Sequence, residues 1–139
     1  EGDCVVSAVV ADAQRAVLAV TENGYGKRTE LDEYRIQTRG GKGIFTYKIT
    51  EKTGKLIGLV SAPEDSDLML ITSDGVVIRM HVDEISMFGR QTQGVRLMKL
   101  ADNVKTVSVA LTEREDEELE TSEGSDGDEE AVIAGNGEE

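Results

Sequence analysis

The sequence is poor in the residues that do chemistry. Its 139 residues hold one cysteine, one proline, one histidine and no tryptophan. A lone thiol, Cys4, excludes an internal disulfide and suits a reducing compartment. One histidine, His81, lies inside an alternating strand pattern, so no Ser/His/Asp set is available for nucleophilic catalysis. Neither His81 nor Cys4 has partners at metal-ligand spacing, and both are expected to be structural. No apolar run nears the ~18 residues of a membrane-spanning helix, so no membrane partner is expected. No leader peptide is visible, and the chain starts in mid-pattern without Met, which reads as the end of a longer polypeptide.

Charge is abundant but unevenly placed. The formal net charge is −13, yet residues 1–112 carry 14 Lys+Arg against 15 Asp+Glu. Residues 113–139 carry 1 against 13 and contain no aromatic side chain. Such a segment cannot bury enough apolar surface to offset ordering entropy, and it reads as a disordered acidic tail. The rest is close to neutral, with a local excess of cations: across residues 24–60, eight Lys/Arg face four acids.

What the chain does have is an internal repeat. Shifted by 51 residues, residues 17–49 lie on residues 68–100 without a gap. Thr21, Gly24, Arg28, Asp32, Glu33, Arg39, Gly43 and Lys48 fall on Thr72, Gly75, Arg79, Asp83, Glu84, Arg90, Gly94 and Lys99. A unit of about 50 residues built from short strands has the length of a propeller blade and needs neighbours to bury its faces. The periodicity predicts strands at 16–21, 25–30, 44–49 and 56–62, then 68–72, 76–82, 95–100 and 106–111. Asn23-Gly24 and Asp74-Gly75 read as type I′ hairpin turns. Residues 5–11 match a closing strand, so residues 1–14 are expected to be the end of a preceding unit and a linker. Residues 15–62 and 63–112 are then two four-stranded blades. The recurring Asp32-Glu33 and Asp83-Glu84 read as turn caps rather than catalytic pairs.

Each unit carries a long loop between its second and third strands. In the first, Arg35, Arg39 and Lys42 are interleaved with Gly40, Gly41 and Gly43. Glycines beside cations let a backbone approach a phosphate while N–H groups and side chains contact its oxygens. Gly-rich loops are more often plain turns, but here the cations recur at equivalent repeat positions, which turns single contacts into a track. Gly41-Lys42-Gly43 is not a nucleotide-binding P-loop: no Ser/Thr follows the Lys and no Gly lies five residues before Gly41.

Thr21-Glu22-Asn23-Gly24-Tyr25-Gly26-Lys27-Arg28-Thr29, then Glu33-Tyr34-Arg35 and Gln37-Thr38-Arg39-Gly40-Gly41-Lys42-Gly43-Ile44, closely resemble the C-terminal domain of bacterial DNA gyrase A proteins. Gly89-Arg90-Gln91-Thr92-Gln93-Gly94-Val95-Arg96-Leu97-Met98 looks like its last blade. The resemblance implies an all-β, propeller-like β-pinwheel sector whose blades exchange strands. It also implies a basic rim that wraps double-stranded DNA. Gln37, Arg39, Gly40, Gly41, Lys42 and Gly43 match the family's hallmark box, although Thr38 replaces an Arg. Further implications are partnership with the rest of the gyrase A protein and with the gyrase B protein in an A2B2 heterotetramer, and a cytoplasmic, nucleoid-associated setting. ATP and Mg2+ would act elsewhere in that assembly, with no cofactor and no catalytic residue here. The expected DNA-contacting set is Lys27, Arg28, Arg35, Arg39, Gly40, Gly41, Lys42, Gly43, Arg79, Arg90, Arg96 and Lys99. The acidic tail would compete with phosphate for these cations. Two alternatives stand beside this reading: the A-type component of topoisomerase IV, and a protein-binding propeller.

Overall fold

The computed structural model describes residues 2–115. In chain order they form β1 (Ala16–Thr21), β2 (Tyr25–Thr29), a 3-10 turn (Leu31–Glu33) and β3 (Leu56–Ala62). Then come β4 (Ser66–Thr72), β5 (Val77–His81), a second 3-10 turn (Val82–Glu84), β6 (Val95–Arg96) and β7 (Thr106–Glu113). The all-β expectation holds.

The repeat governs strand register as well as sequence. Leu18 faces Arg28 and Ala19 faces Lys27 across β1–β2, while Met69 faces Arg79 and Leu70 faces Ile78 across β4–β5. The 51-residue shift thus reproduces each pair. Even the irregularity recurs, between Val20 and Thr21 in one unit and between Ile71 and Thr72 in the other.

The number of strands in each sheet departs from expectation through strand exchange. The first sheet has the order β3-β1-β2-β6, so its fourth strand comes from the second unit. The second sheet is β5-β4-β7, three strands rather than four. Residues 44–49 form no strand, and of residues 95–100 only Val95 and Arg96 do. The third strand of a unit does not stay at home. It moves to the outer edge of the unit before it, and residues 44–49 have no such edge among the described residues. Residues 5–11 are likewise not a strand; Val5 and Val10 are largely exposed, and Ser7 Oγ donates to the Leu59 carbonyl at 3.1 Å.

The hairpin turns also differ from the type I′ expectation. Gly24 N–H donates to the Thr21 carbonyl at 3.1 Å and Gly75 N–H to the Thr72 carbonyl at 3.0 Å. The glycines are left-handed (φ 81° and 85°), whereas Asn23 and Asp74 are not. Only one position per turn needs positive φ, as in the three-residue hairpin loop that closes on a left-handed Gly. The 3-10 turns at Leu31–Glu33 and Val82–Glu84 lack side-chain capping bonds, so the acidic pairs there are not caps.

Both units share one aliphatic core. Leu18, Val20, Leu68, Leu70 and Val82 are fully buried, joined by Ala62, Ile85 and Met98. Each large aliphatic removed from water contributes about 1.5–3 kcal/mol. The first residues of the expected tail belong to the fold: Glu113 closes β7, and Arg114 and Glu115 pack on the second unit. The remainder of the acidic segment lies outside the described residues.

Glycine marks the close approach between units. A methyl group on Gly94 (φ 66°) would lie inside contact distance of the Gly26 carbonyl and 2.7 Å from Tyr47 Oη, whereas one on Gly40 (φ 77°) meets nothing within 4 Å. Gly40→Ala should cost only the left-handed strain of about 1–2 kcal/mol. Gly94→Ala should cost about 1–3 kcal/mol more, from crowding. Urea unfolding of both variants checks this; equal losses would show that the joint is not tight.

Candidate nucleic-acid interface

The joint between units organises the charged residues. Tyr25 and Gly26 of β2 pair with Arg96 and Val95 of β6. Further along the same edge, Arg28 N–H donates to the Ser86 carbonyl at 3.1 Å, and Phe88 N–H donates to the Arg28 carbonyl at 2.8 Å. Residues 86–97 therefore cover β2 as a nearly continuous line. The long loops meet above it: Lys48 N–H donates to the Thr92 carbonyl at 3.2 Å, and Arg90 Nη1 donates to the Phe45 carbonyl at 2.7 Å.

Lys27 and Arg28 belong to this joint, which corrects the expectation that they contact DNA. Lys27 is 0% exposed. Its Nζ donates to the carbonyls of Gly89, Arg90 and Thr92 at 2.8, 2.7 and 3.1 Å and lies 4.6 Å from the centre of the Tyr47 ring. Burial, with the Arg90 charge beside it, lowers the Lys27 pKa to about 8, still protonated at neutral pH. Burial, with Tyr25 nearby, pushes the Tyr47 phenol well above its ordinary value. The Tyr47 hydroxyl donates to the Gln93 carbonyl. Arg28 is also buried: Nε donates to the Ile85 carbonyl at 2.6 Å and Nη2 to that of Asp83 at 3.3 Å, while Nη1 pairs with Glu64 at 3.0 Å. Alternation along a strand shows which positions share a face, but not that a neighbouring unit covers both.

Arg79, the repeat mate of Arg28, makes a different set of contacts. It pairs with Asp67 and Glu115 at 2.7 and 2.8 Å and donates to the Glu113 carbonyl at 2.8 Å. Where Arg28 holds carbonyls of the following unit, Arg79 holds the chain that leaves β7. Asp67, nearly buried, also receives His81 Nδ1 at 2.6 Å, and Arg114 pairs with Asp83 at 2.9 Å. The hydrogen bond from His81, with Arg79 alongside, holds the Asp67 carboxyl below its ordinary value. Arg90 is half-buried, with its guanidinium on the Phe45 carbonyl and 6.0 Å from the Tyr34 ring. Of the recurring arginines Arg28, Arg79, Arg39 and Arg90, only Arg39 lacks an internal partner among the described residues, so they do not form the expected track.

The open cations lie elsewhere. Arg35, Arg39, Lys42, Arg96 and Lys99 are exposed, without ion-pair or side-chain hydrogen-bond partners among the described residues. Gly40, Gly41 and Gly43 are exposed beside them, with Gly40 and Gly43 left-handed. Lys48, absent from the expected set, is equally open; its match with Lys99 in the repeat was the available signal. The bonds from Lys48 and Arg90 place the two loop systems side by side. By contrast, a broad groove lined by Arg15, Glu30, Asp32, Glu64 and Asp65 is dominated by carboxylates and would repel a polyanion.

The family model for the DNA gyrase C-terminal domain, a beta-propeller, matches residues 16–63 and 66–113. The DNA gyrase A protein of Staphylococcus epidermidis is 50% identical over 119 residues, covering 84% of this chain and 13% of the relative. The DNA gyrase A protein of Staphylococcus aureus is 49% identical over 125 residues, covering 88% and 14%. The chain thus spans about one seventh of the length of these relatives. A solved DNA gyrase A C-terminal domain aligns with TM-score 0.66 and 29% identity, over 70% of this chain and 33% of that one. The C-terminal domain of DNA topoisomerase IV aligns with TM-score 0.67, over 75% of this chain and 32% of that one, but at 20% identity it supports the fold alone.

The Asp67 cluster predicts acid sensitivity. Its carboxyl is held below the unfolded value of about 3.9. The stability it contributes is therefore complete above about pH 4 and is lost as pH falls through the lower folded value. Asp67→Asn should be less stable than the parent at neutral pH, with the gap closing on acidification. Urea midpoints from neutral to about pH 3 check this; a gap that widens toward acid contradicts it.

Proposed function

The chain belongs to the DNA gyrase C-terminal domain family, and from that premise we propose that it forms part of a surface on which duplex DNA is bent and wrapped. The parent would be a gyrase A protein, working with the gyrase B protein in an A2B2 topoisomerase of the cytoplasm. It would introduce negative supercoils, with ATP and Mg2+ acting outside this segment. The segment contributes binding and curvature, not bond cleavage. Relatives near 50% identity named as the gyrase protein favour this reading over the topoisomerase IV alternative.

The observation that carries the proposal is the open set Arg35, Arg39, Lys42, Lys48, Arg96 and Lys99 on the adjoining loop systems of two units. Bending a short duplex costs about 1–6 kcal/mol by elastic estimates. Phosphate contacts supply that free energy, and the counterions they release make binding salt-dependent. Left-handed Gly40 and Gly43 bracket Gly41-Lys42 and keep the backbone free of side-chain bulk where it would approach the duplex.

Removing open cations should act differently from removing buried ones. The double variant Arg39→Ala/Lys42→Ala should weaken binding to unrelated duplexes alike and reduce the salt slope by about 2. Arg28→Ala should lower the unfolding midpoint instead, leaving the slope near that of the parent. Salt titrations of DNA affinity check both; a parental slope in the double variant would remove those two side chains from the contact surface.

A further inference from the structure

Lys27 is the most deeply buried cation described in the chain, and its surroundings are specific to an ammonium. Three carbonyls converge on it at 2.7–3.1 Å, from Gly89, Arg90 and Thr92, with Thr92 Oγ1 at 3.3 Å. An ammonium has three protons to give and no acceptor, so three inward-facing carbonyls match it one to one. Brought together without a cation, those carbonyl dipoles would repel one another. The face of Tyr47 closes the site. The charged or titratable groups facing it are Arg90 and the Tyr47 phenol, with Tyr25 beyond. None is a carboxylate, so the carbonyls are the counter-charge.

The repeat shows that this arrangement belongs to a joint rather than to a unit. Lys27 corresponds to Ile78, and its neighbour Gly26 to Val77. Gly26 lets the following unit close on β2, since a methyl group there would collide with Leu97. Val77 and Ile78 sit on β5, whose outer edge pairs with no strand among the described residues. The ammonium and the bare glycine thus occur in the unit that another unit covers.

We infer that Lys27 is a positioning residue: its ammonium latches residues 89–92 of the second unit onto the first, fixing the spacing between successive groups of open cations. The latch adjoins both groups. Residues 45–48, bonded to residues 90–93, lead back to Lys42; residues 95–99 carry Arg96 and Lys99. The latch itself stands on geometry alone, while its consequence for curvature rests on the DNA-wrapping reading.

The test uses Lys27→Met in the intact protein, which keeps the apolar stem and removes the charge. Amide exchange of Phe88 and Lys48, whose N–H groups donate to the Arg28 and Thr92 carbonyls, should accelerate at least tenfold, with the β4–β7 amides unchanged. DNA bending should fall several-fold, while affinity for a duplex too short to bend stays within twofold. Parental exchange at Phe88 and Lys48 would overturn the latch. So would equal acceleration across both sheets, which would make Lys27 a general stability residue. Should the variant fail to fold, the parent protein still decides. The Lys27 ammonium protons should exchange with solvent far more slowly than those of Lys42 or Lys48, with couplings to the carbonyl carbons of Gly89, Arg90 and Thr92; fast exchange would overturn the latch. A protein whose loop loosens as expected but whose parent does not bend DNA would sink the functional reading and leave the latch standing.

Discussion

The outer edge of β2 sets the terms for this structure. A strand edge carries unpaired N–H and C=O groups that must find partners or face water. Here the following unit supplies those partners through residues 86–97, and the other local features follow from that delivery. Foreign backbone can reach β2 only where side chains are absent, hence Gly24, Gly26 and Gly94 at the contact. A methyl group on Gly24 would stand 2.8 Å from the Met98 carbonyl. The incoming chain arrives as loop rather than regular strand, so it brings carbonyls that no ladder satisfies. Lys27 and Arg28 meet them from opposite faces of one strand.

Burying a cation is unfavourable unless it is fully partnered, and the two units resolve this differently. Arg28 finds the carbonyls of Asp83 and Ile85 together with Glu64, all from the second unit. Arg79 stands at the same repeat position with no further unit beside it among the described residues, and it engages Asp67, Glu115 and the Glu113 carbonyl instead. The same residue at the same register therefore reports what lies next to it. In the first unit it is an inter-unit tie; in the second it anchors the chain leaving β7. That anchoring carries the fold past the compositional break at residue 113, through Arg114 and Glu115.

Much of the architecture was legible in the sequence because a repeat constrains it twice. Strand positions 16–21 and 56–62 and the all-β class followed from period-2 patterns confirmed in a second copy. The errors at residues 44–49 and at Lys27 and Arg28 share one cause. Residues 44–49 read as a strand because their apolar pattern suits one, yet a strand exists only where an edge receives it. Lys27 and Arg28 read as phosphate ligands because cations beside glycines suit phosphate, yet the glycines here admit protein backbone. Asn23-Gly24 read as a two-residue turn because the dipeptide favours it, whereas the β1–β2 register leaves a three-residue loop that closes on left-handed Gly24. Sequence spacing describes a unit in isolation. What a neighbouring unit covers is not written in it, except where the repeat breaks, as at Gly26/Val77 and Lys27/Ile78.

That break divides the positive charge into two populations with different physics. Lys27 and Arg28 lie buried in the joint, where salt screens them far less and backbone carbonyls hold them in place. Arg35, Arg39, Lys42, Lys48, Arg96 and Lys99 face water, where interactions beyond about 10 Å are screened at 0.1 M salt. A rigid polyanion is bent only if its contacts stay put relative to one another, and flexible surface side chains cannot ensure that themselves. The rigidity has to come from beneath. In this fold it comes from the joint, so under the proposed DNA-wrapping role the buried cations determine where the open ones are held.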